Sequence, residues 1–350
     1  TNIHNIKEEF SNILKNSKYI ENYEITDNLF ININININDC FEFFENIESD
    51  IKVKKSKKVL IDYGGPNIGK PLHVGHLRSL NIGRSLQNLN ALVGNKVTTD
   101  IHLGDWGMPV AQIIAYCENF KIDINSLEVE KLIEIYPKST NLYSESEEFK
   151  NLAQEKNKKL NESEKKTLSQ WSHLRNISVN NLKDILSILN HDFDLWLGES
   201  SINHLIDEMI KSLINEKKID FDDGALISTE ETDPKILITK SDGSYLYLTT
   251  DIATIKNRLE KNDFDIALYV VDNRQKLHFE QLFKTVKYFN FPKKEYIHVG
   301  FGTINDEKGN PFKTRDGGTK QLLSLYSDTF EYIKNVNKDL NENSINKLTN

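Results

Sequence analysis

The sequence predicts an α/β fold in which a parallel, Rossmann-like sheet is split by a long, mainly helical insertion and preceded by a small α+β appendage. Three observations predict it. A short apolar run, VLIDY at 59–63, leads through a glycine-rich loop into a helical pattern and then a second strand pattern, all within about 45 residues, the layout of a βαβ unit. A second block of strand and helix patterns lies far downstream, between 245 and 304. The stretch between the blocks, 121–235, is charged and helical in period. A sheet assembled from two such halves places its site at the carboxyl ends of its strands.

Residues 1–57 form the appendage. Within it FININININ puts Ile31, Ile33, Ile35 and Ile37 on one side and asparagines on the other, a strict period of two that predicts a half-buried strand. The appendage ends in IKVKKSKK, whose lysines read either as a solvated linker or as a contact for a phosphate backbone. The first half of the Rossmann-like domain spans 58–120. VLIDY is a short apolar run broken only by Asp62, of the kind buried in a parallel sheet. In the following GGPNIGKPLHVGHLRS, Gly64, Gly69 and Lys70 nearly complete a phosphate-binding P-loop, but Pro71 stands where that motif needs a hydroxyl for magnesium. Proline suits the first turn of a helix, so the helix is expected from about residue 71, with His73 and His76 in its opening turns. Leu77, Leu80, Leu86, Leu89 and Val93 mark its apolar face, Gly94-Asn95 its end, and KVTTDIHL at 96–103 the second strand. The insertion, 121–235, carries Trp171, Leu174, Leu182, Ile185 and Leu189 at helical spacing. The second half, 236–325, reads as a strand YLYLTT (245–250), a helix from Asp251, a strand at 266–272, a helix over about 276–290, a strand at 296–304 and a glycine-flanked basic loop. Residues 326–350 begin a further helix.

Composition narrows the class. The chain has 38% hydrophobic and 27% charged residues, and no apolar run approaches the roughly 20 residues of a membrane span. Its two cysteines, Cys40 and Cys117, fit no metal spacing and no disulfide framework, which points to a reducing cytoplasm. A net charge of −8 argues against a general nucleic-acid coat.

The chemistry concentrates at His73-Val74-Gly75-His76. A helix N-terminus favours anions, and two imidazoles three residues apart share a face from which both can bond phosphate oxygens. Gly75 between them leaves room for an adenine or ribose. A metal pair or two incidental surface histidines are the competing readings. Asp251 on its own reads as a helix N-cap, and the basic turn at 309–318 as a solvated loop. GDWG, Gly104 to Gly107, reads as a structural strand-to-helix turn.

HVGH after a first strand resembles the HIGH signature of class I aminoacyl-tRNA synthetases. The run DYGGPNIGKPLHVGHLRS, with HLGDWG (102–107), YLYLTTD (245–251), VVDNRQKLHFEQL (270–282) and NPFKTRDGGT (310–319), resembles the arginyl-tRNA synthetase family over residues 59–320. The resemblance implies the class I synthetase form of the Rossmann-like fold, an ATP-dependent ligase, and L-arginine and tRNA(Arg) as partners, with Mg2+ brought in by ATP. It implies that His73 and His76, with Gly75, bind the ATP phosphates and stabilise charge at the α-phosphorus. Asn67 would hold the substrate's α-amino or carboxylate group, with Gln275 assisting, and Asp62, Tyr247 and Asp251 would receive the guanidinium. Physical chemistry agrees on the last point, because a planar cation with five fixed donors calls for carboxylate acceptors. The family's KMSKS segment is altered to Phe312-Lys313-Thr314-Arg315-Asp316. With Arg315 at the second lysine position, such members carry a lysine just before HIGH, here Lys70; Lys70, Lys313 and Arg315 would offer cations to the triphosphate.

The resemblance also marks departures. Residues 1–57 are shorter than the usual tRNA-elbow-binding domain, and the anticodon-binding domain that follows the KTR loop is missing. A catalytic-core fragment is therefore expected, acting as a cytoplasmic monomer. An arginine-activating ligase with a non-tRNA acceptor, and a catalytically silent binding module, remain open at this point.

Overall fold

The computed structural model describes residues 3–28, 30–230, 232, 235–241, 243–303 and 322–350. The chain divides into two compact units, Thr1–Ser56 with Leu89–Asn95, and Lys57–Asn88 with Lys96–Asn350.

In the first unit, helix α1 (Ile3–Lys15) precedes an antiparallel ribbon of β1 (Ile20–Ile25) and β2 (Ile31–Ile35), and α2 (Ile37–Asp50) follows. The isoleucine repeat forms a strand, but only as far as Ile35, and its isoleucine side is poorly covered: Ile33 and Ile35 are 45% and 56% exposed. Alternation sets which side a residue faces, not whether another layer lies over it.

The second unit is built on a four-stranded parallel sheet in the order β4-β3-β8-β9, from β3 (Lys58–Tyr63), β4 (Lys96–Asp100), β8 (Ile266–Asp272) and β9 (Glu295–Phe301). Helix α3 (Val74–Leu92) links β3 to β4 and ends before Gly94 at φ 90°. Then come α4 (Met108–Asn119), α5 (Val129–Glu145), α6 (Glu147–Asn161), α7 (Lys165–Ile188) and α8 (Asn203–Asn215). An antiparallel sheet of β5 (Ile219–Asp222), β6 (Ala225–Ser228) and β7 (Leu237–Thr239) follows. The chain returns to the parallel sheet through α9 (Tyr247–Lys261) and β8, with α10 (Lys276–Tyr288) crossing to β9 and α11 (Leu322–Val336) and α12 (Glu342–Thr349) last. Val59, Leu60 and Ile61 of β3 are at most 2% exposed, as their unbroken apolar run requires. In the lysine run, Lys57 and Lys58 pair with Glu295 and Asp263. Among the described residues no helix is long and apolar enough to cross a membrane.

Three local expectations fail, each for a physical reason. Helix α3 starts at Val74 rather than near residue 71, because the His73 side chain caps it there. YLYLTT is not a strand: Tyr245 makes one isolated bridge to Thr239, and α9 begins at Tyr247, where Leu248, Ile252 and Ile255 give a buried stripe of helical period. Asp251 therefore lies inside α9, whose N-cap is Leu246. The β5–β6 hairpin in the insertion was not expected, although Asp223-Gly224, both at positive φ (46° and 82°), is a strong hairpin-turn signal.

Packing of α3 on β3 depends on Gly83, where a Cβ would lie 2.2 Å from the Tyr63 ring. Tyr63 is itself 1% exposed and cannot move aside. Gly83→Ala is expected to cost about 1–3 kcal/mol by overpacking; urea denaturation of the two proteins measures it, and equal midpoints would refute the close contact.

Candidate active site

The carboxyl ends of β3, β8 and β9, with α3, α9 and α10, enclose a cleft of about 960 Å³. Its walls include His73, Gly75 and His76, together with Asp62, Asp251 and Gln275.

The two histidines are tied to the backbone that carries them. Val74 opens α3, so His73 is its N-cap, and its Nδ1 accepts the Gly75 N–H at 3.1 Å. His76 Nδ1 accepts the His73 N–H at 3.1 Å, completing a reciprocal cap of the first turn. A backbone N–H can only donate, so His73 Nδ1 is an acceptor and its neutral ring carries its proton on Nε2; His76 Nδ1 faces both the His73 N–H at 3.1 Å and the His73 carbonyl at 3.3 Å, and the shorter contact assigns it the same tautomer. The rings lie 4.0 Å apart at 40°. Burial, then the neighbouring Lys70 ammonium, lowers the His73 pKa to about 4; burial, His73 and Lys70 lower that of His76 to about 3. At neutral pH the pair is two uncharged donors. The Gly75 N–H of this anion-favouring helix end is already taken by His73 Nδ1, so the imidazoles offer their Nε2 protons in its place. Gly75 lines the cleft, and its missing side chain also makes room for the His73 ring, from which a Cβ would sit 2.8 Å.

The carboxylates have internal partners as well. Parallel register sets Asp62 beside Asp100 of β4 and Tyr269 of β8. Into this row α9 sends Arg258, fully buried, whose Nη2 donates to Asp62 Oδ2 and Asp100 Oδ2, each at 2.6 Å. Its guanidinium carbon lies 5.5 Å from the Tyr269 ring centroid. Burial opposes that charge, but Asp62, Tyr269 and Asp100 outweigh it and hold the Arg258 pKa well above its usual value. Asp251 stands two turns before Arg258 on the same face of α9, and its Oδ2 lies 2.6 Å from His278 Nε2 of α10. Glu199 is close enough to be affected: burial, then Asp105 and Asp251, pushes its pKa up to about 7.

Asn67 and Tyr247 do not line this cleft. Asn67 bridges to Gly104, and both it and Tyr247 influence the Tyr136 hydroxyl; Tyr247, 80% exposed, opens α9. Lys70 acts electrostatically on both histidines. Lys313 and Arg315 lie outside the described residues. GDWG is a structural hub: buried Asp105 accepts from Arg175 Nε at 2.7 Å and from Ser200 N at 2.8 Å, and its carbonyl accepts from Trp171 Nε1. Sequence reasoning missed Arg258 and His278. For Arg258 a signal existed, a cation seven residues after Asp251 on an otherwise apolar helix face; His278 carried none.

A parallel sheet with a histidine pair capping the helix after its first strand defines a class I synthetase type of nucleotide-handling domain. Residues 43–350 match the family described as "tRNA synthetases class I (R), catalytic domain", and the chain belongs to that family. It is 37% identical over 339 residues to the arginine–tRNA ligase of Alkaliphilus oremlandii, an alignment covering 89% of this chain and 58% of that protein. With the arginine–tRNA ligase of Francisella tularensis subsp. novicida it shares 37% identity over 308 residues, 83% of this chain and 53% of that one. The chain thus spans about half the length of these curated relatives. In fold it is similar to the arginyl-tRNA synthetase of Plasmodium falciparum, with a TM-score of 0.72 at 23% identity, covering 100% of this chain and 65% of that one. The Thermus thermophilus arginyl-tRNA synthetase gives a TM-score of 0.68 at 17% identity, covering 99% and 65%.

Proposed function

We propose that this chain carries the amino-acid-activating site of an arginine–tRNA ligase. The observation that supports it best is the pairing, in one cleft, of two neutral imidazole donors suited to phosphate with two carboxylates suited to a guanidinium. In the first step a carboxylate oxygen of L-arginine attacks the α-phosphorus of ATP, pyrophosphate leaves, and arginyl-adenylate forms. In the second, a ribose hydroxyl of the 3'-terminal adenosine of tRNA(Arg) attacks the adenylate carbonyl and AMP leaves. His73 and His76, with Lys70, Lys313 and Arg315, meet the triphosphate, supplying charge stabilisation without a covalent enzyme intermediate. Mg2+ enters on ATP, keeping most of its ligands from phosphate and water.

Asp62 and Asp251 receive the guanidinium and Gln275 meets the α-amino and carboxylate end; the roles that the resemblance gives Tyr247 and Asn67 would require them to reach the substrate from outside the cleft walls. The protein works as a cytoplasmic monomer. Asp251→Asn removes one charge-assisted contact and is expected to weaken arginine binding by about 1.5–3 kcal/mol while leaving ATP affinity unchanged. Isothermal calorimetry measures both; arginine affinity equal to the parent's sinks the assignment.

A further inference from the structure

Asp251 enters the site already engaged. His278 Nε2 sits 2.6 Å from its Oδ2, and both side chains are partly exposed, 27% for His278 and 35% for Asp251, which lines the cleft. Oδ1 of Asp251 has no hydrogen-bond partner among the described residues. Resting on the arginine reading above, we propose that His278 is a positioning residue for Asp251 and, when protonated, an internal cation that competes with the substrate guanidinium.

The chemistry follows from two protonation states. A neutral His278 with its proton on Nε2 donates to Oδ2, fixes the carboxylate, and leaves the pair with one negative charge for the incoming guanidinium. An imidazolium makes the same hydrogen bond but cancels that charge, so a second cation finds a neutral ion pair. Several other groups surround the pair. Glu199, from the turn at Glu199–Ser201, acts on Asp251, as does Tyr269 of β8. On β9, His298 gives its Nε2 proton to the Val271 carbonyl at 3.0 Å while its ring stacks on Phe279. Asp272 and Arg274, in the turn before α10, pair with each other. Asp251 is the charge that acts on His278: its hydrogen bond raises the imidazole pKa above the ordinary value, and burial only partly opposes this.

Proton and arginine are therefore rivals for Asp251. Arginine affinity should rise as pH rises through the His278 pKa, and arginine binding near that pKa should release a proton. Glu199, pushed up to about 7, also ionises within the pH interval tested below and would favour the cation once ionised, so the two must be separated.

The test is arginine binding by calorimetry to the 350-residue chain between about pH 5.5 and 8.5, in two buffers of different ionisation enthalpy to count protons. In the parent, affinity should climb by up to about tenfold per pH unit below the His278 pKa, then level off. His278→Gln can still donate to Asp251 but cannot ionise; it should abolish the His278-linked proton release and flatten that part of the profile while keeping the high-pH affinity. His278→Phe, which loses the donor, should be weaker at high pH as well. Glu199→Gln should retain the His278-linked proton, and ATP affinity should not change in any variant. A His278→Gln profile with the parent's full pH dependence overturns the proposal. If instead Asp251→Asn binds arginine as the parent does, the arginine reading fails first and takes the proposal with it, a result readable without any His278 variant.

Discussion

Arg258→Leu is expected to lower the stability of the chain by about 3–5 kcal/mol, because it removes one member of a buried ionic group and leaves the others uncompensated. Arg258 is 0% exposed, and both of its carboxylate partners, Asp62 and Asp100, lie 2.6 Å from the same nitrogen, Nη2. Asp100 is likewise 0% exposed, so water cannot replace the guanidinium at that end. Without the cation, two carboxylates held side by side by parallel strands face one another in a medium that screens them poorly. Arg258→Lys makes the test sharper. Among the described residues Arg258 Nε and Nη1 make no hydrogen bond to a carboxylate, so the ionic bridge rests on a single nitrogen that an ammonium can replace in kind. The lysine variant should therefore lose much less than the leucine variant in urea denaturation. Equal losses for the two would mean that shape at this position matters and the charge does not. The group also has a functional consequence: Asp62 reaches the cleft with one oxygen already committed to Arg258, so the strand register and α9 together decide how that carboxylate is presented.

The parts of the fold that could be read from sequence are those in which local pattern and tertiary environment agree. VLIDY and IALYVVD, apolar but for Asp62 and Asp272, lie in the parallel sheet, and a helix with the histidine pair at its N-terminus follows the glycine loop, starting at Val74. Reading failed where two patterns compete. YLYLTT has the composition of a strand, yet the stripe Leu248, Ile252, Ile255 makes it the start of α9. Reading failed again where function depends on partners remote in sequence. Asp62 could be nominated from its motif, but its neighbour Arg258 is 196 residues away, and only the strand register and the course of α9 bring them together. Motif logic gave Gly75 one purpose, space for a ligand, and the atoms around it add a second that no motif shows, space for the His73 ring. A motif names the residues that carry the chemistry; which of their atoms are already occupied depends on packing.

His73→Asn and His76→Asn should each lower arginine-dependent pyrophosphate exchange, measured with tRNA present, by about 10²–10³-fold while arginine affinity stays at the parent's value. Asparagine is chosen because its carbonyl can stand near the position of Nδ1, so each variant can keep the hydrogen bond that caps α3, from the Gly75 N–H or the His73 N–H. What it cannot keep is a donor at the reach of Nε2. Loss of activity with the helix cap intact thus isolates the Nε2 protons as the groups that stabilise charge on the phosphate, whereas a matching loss of stability would point to a capping role alone. The pH dependence of folding supplies an independent check on the protonation state. The folded pKa values, about 4 for His73 and about 3 for His76, lie below the ordinary 6.5 of an unfolded histidine, so as pH falls the unfolded chain takes up protons first. Stability from these two rings should be fully present above about pH 6.5 and decline as the solution is acidified toward their folded values. Urea denaturation across that range should show a shallower acid decline in the double variant than in the parent. Parallel declines would mean that the two imidazoles are not held neutral, and that phosphate is met by an imidazolium pair instead.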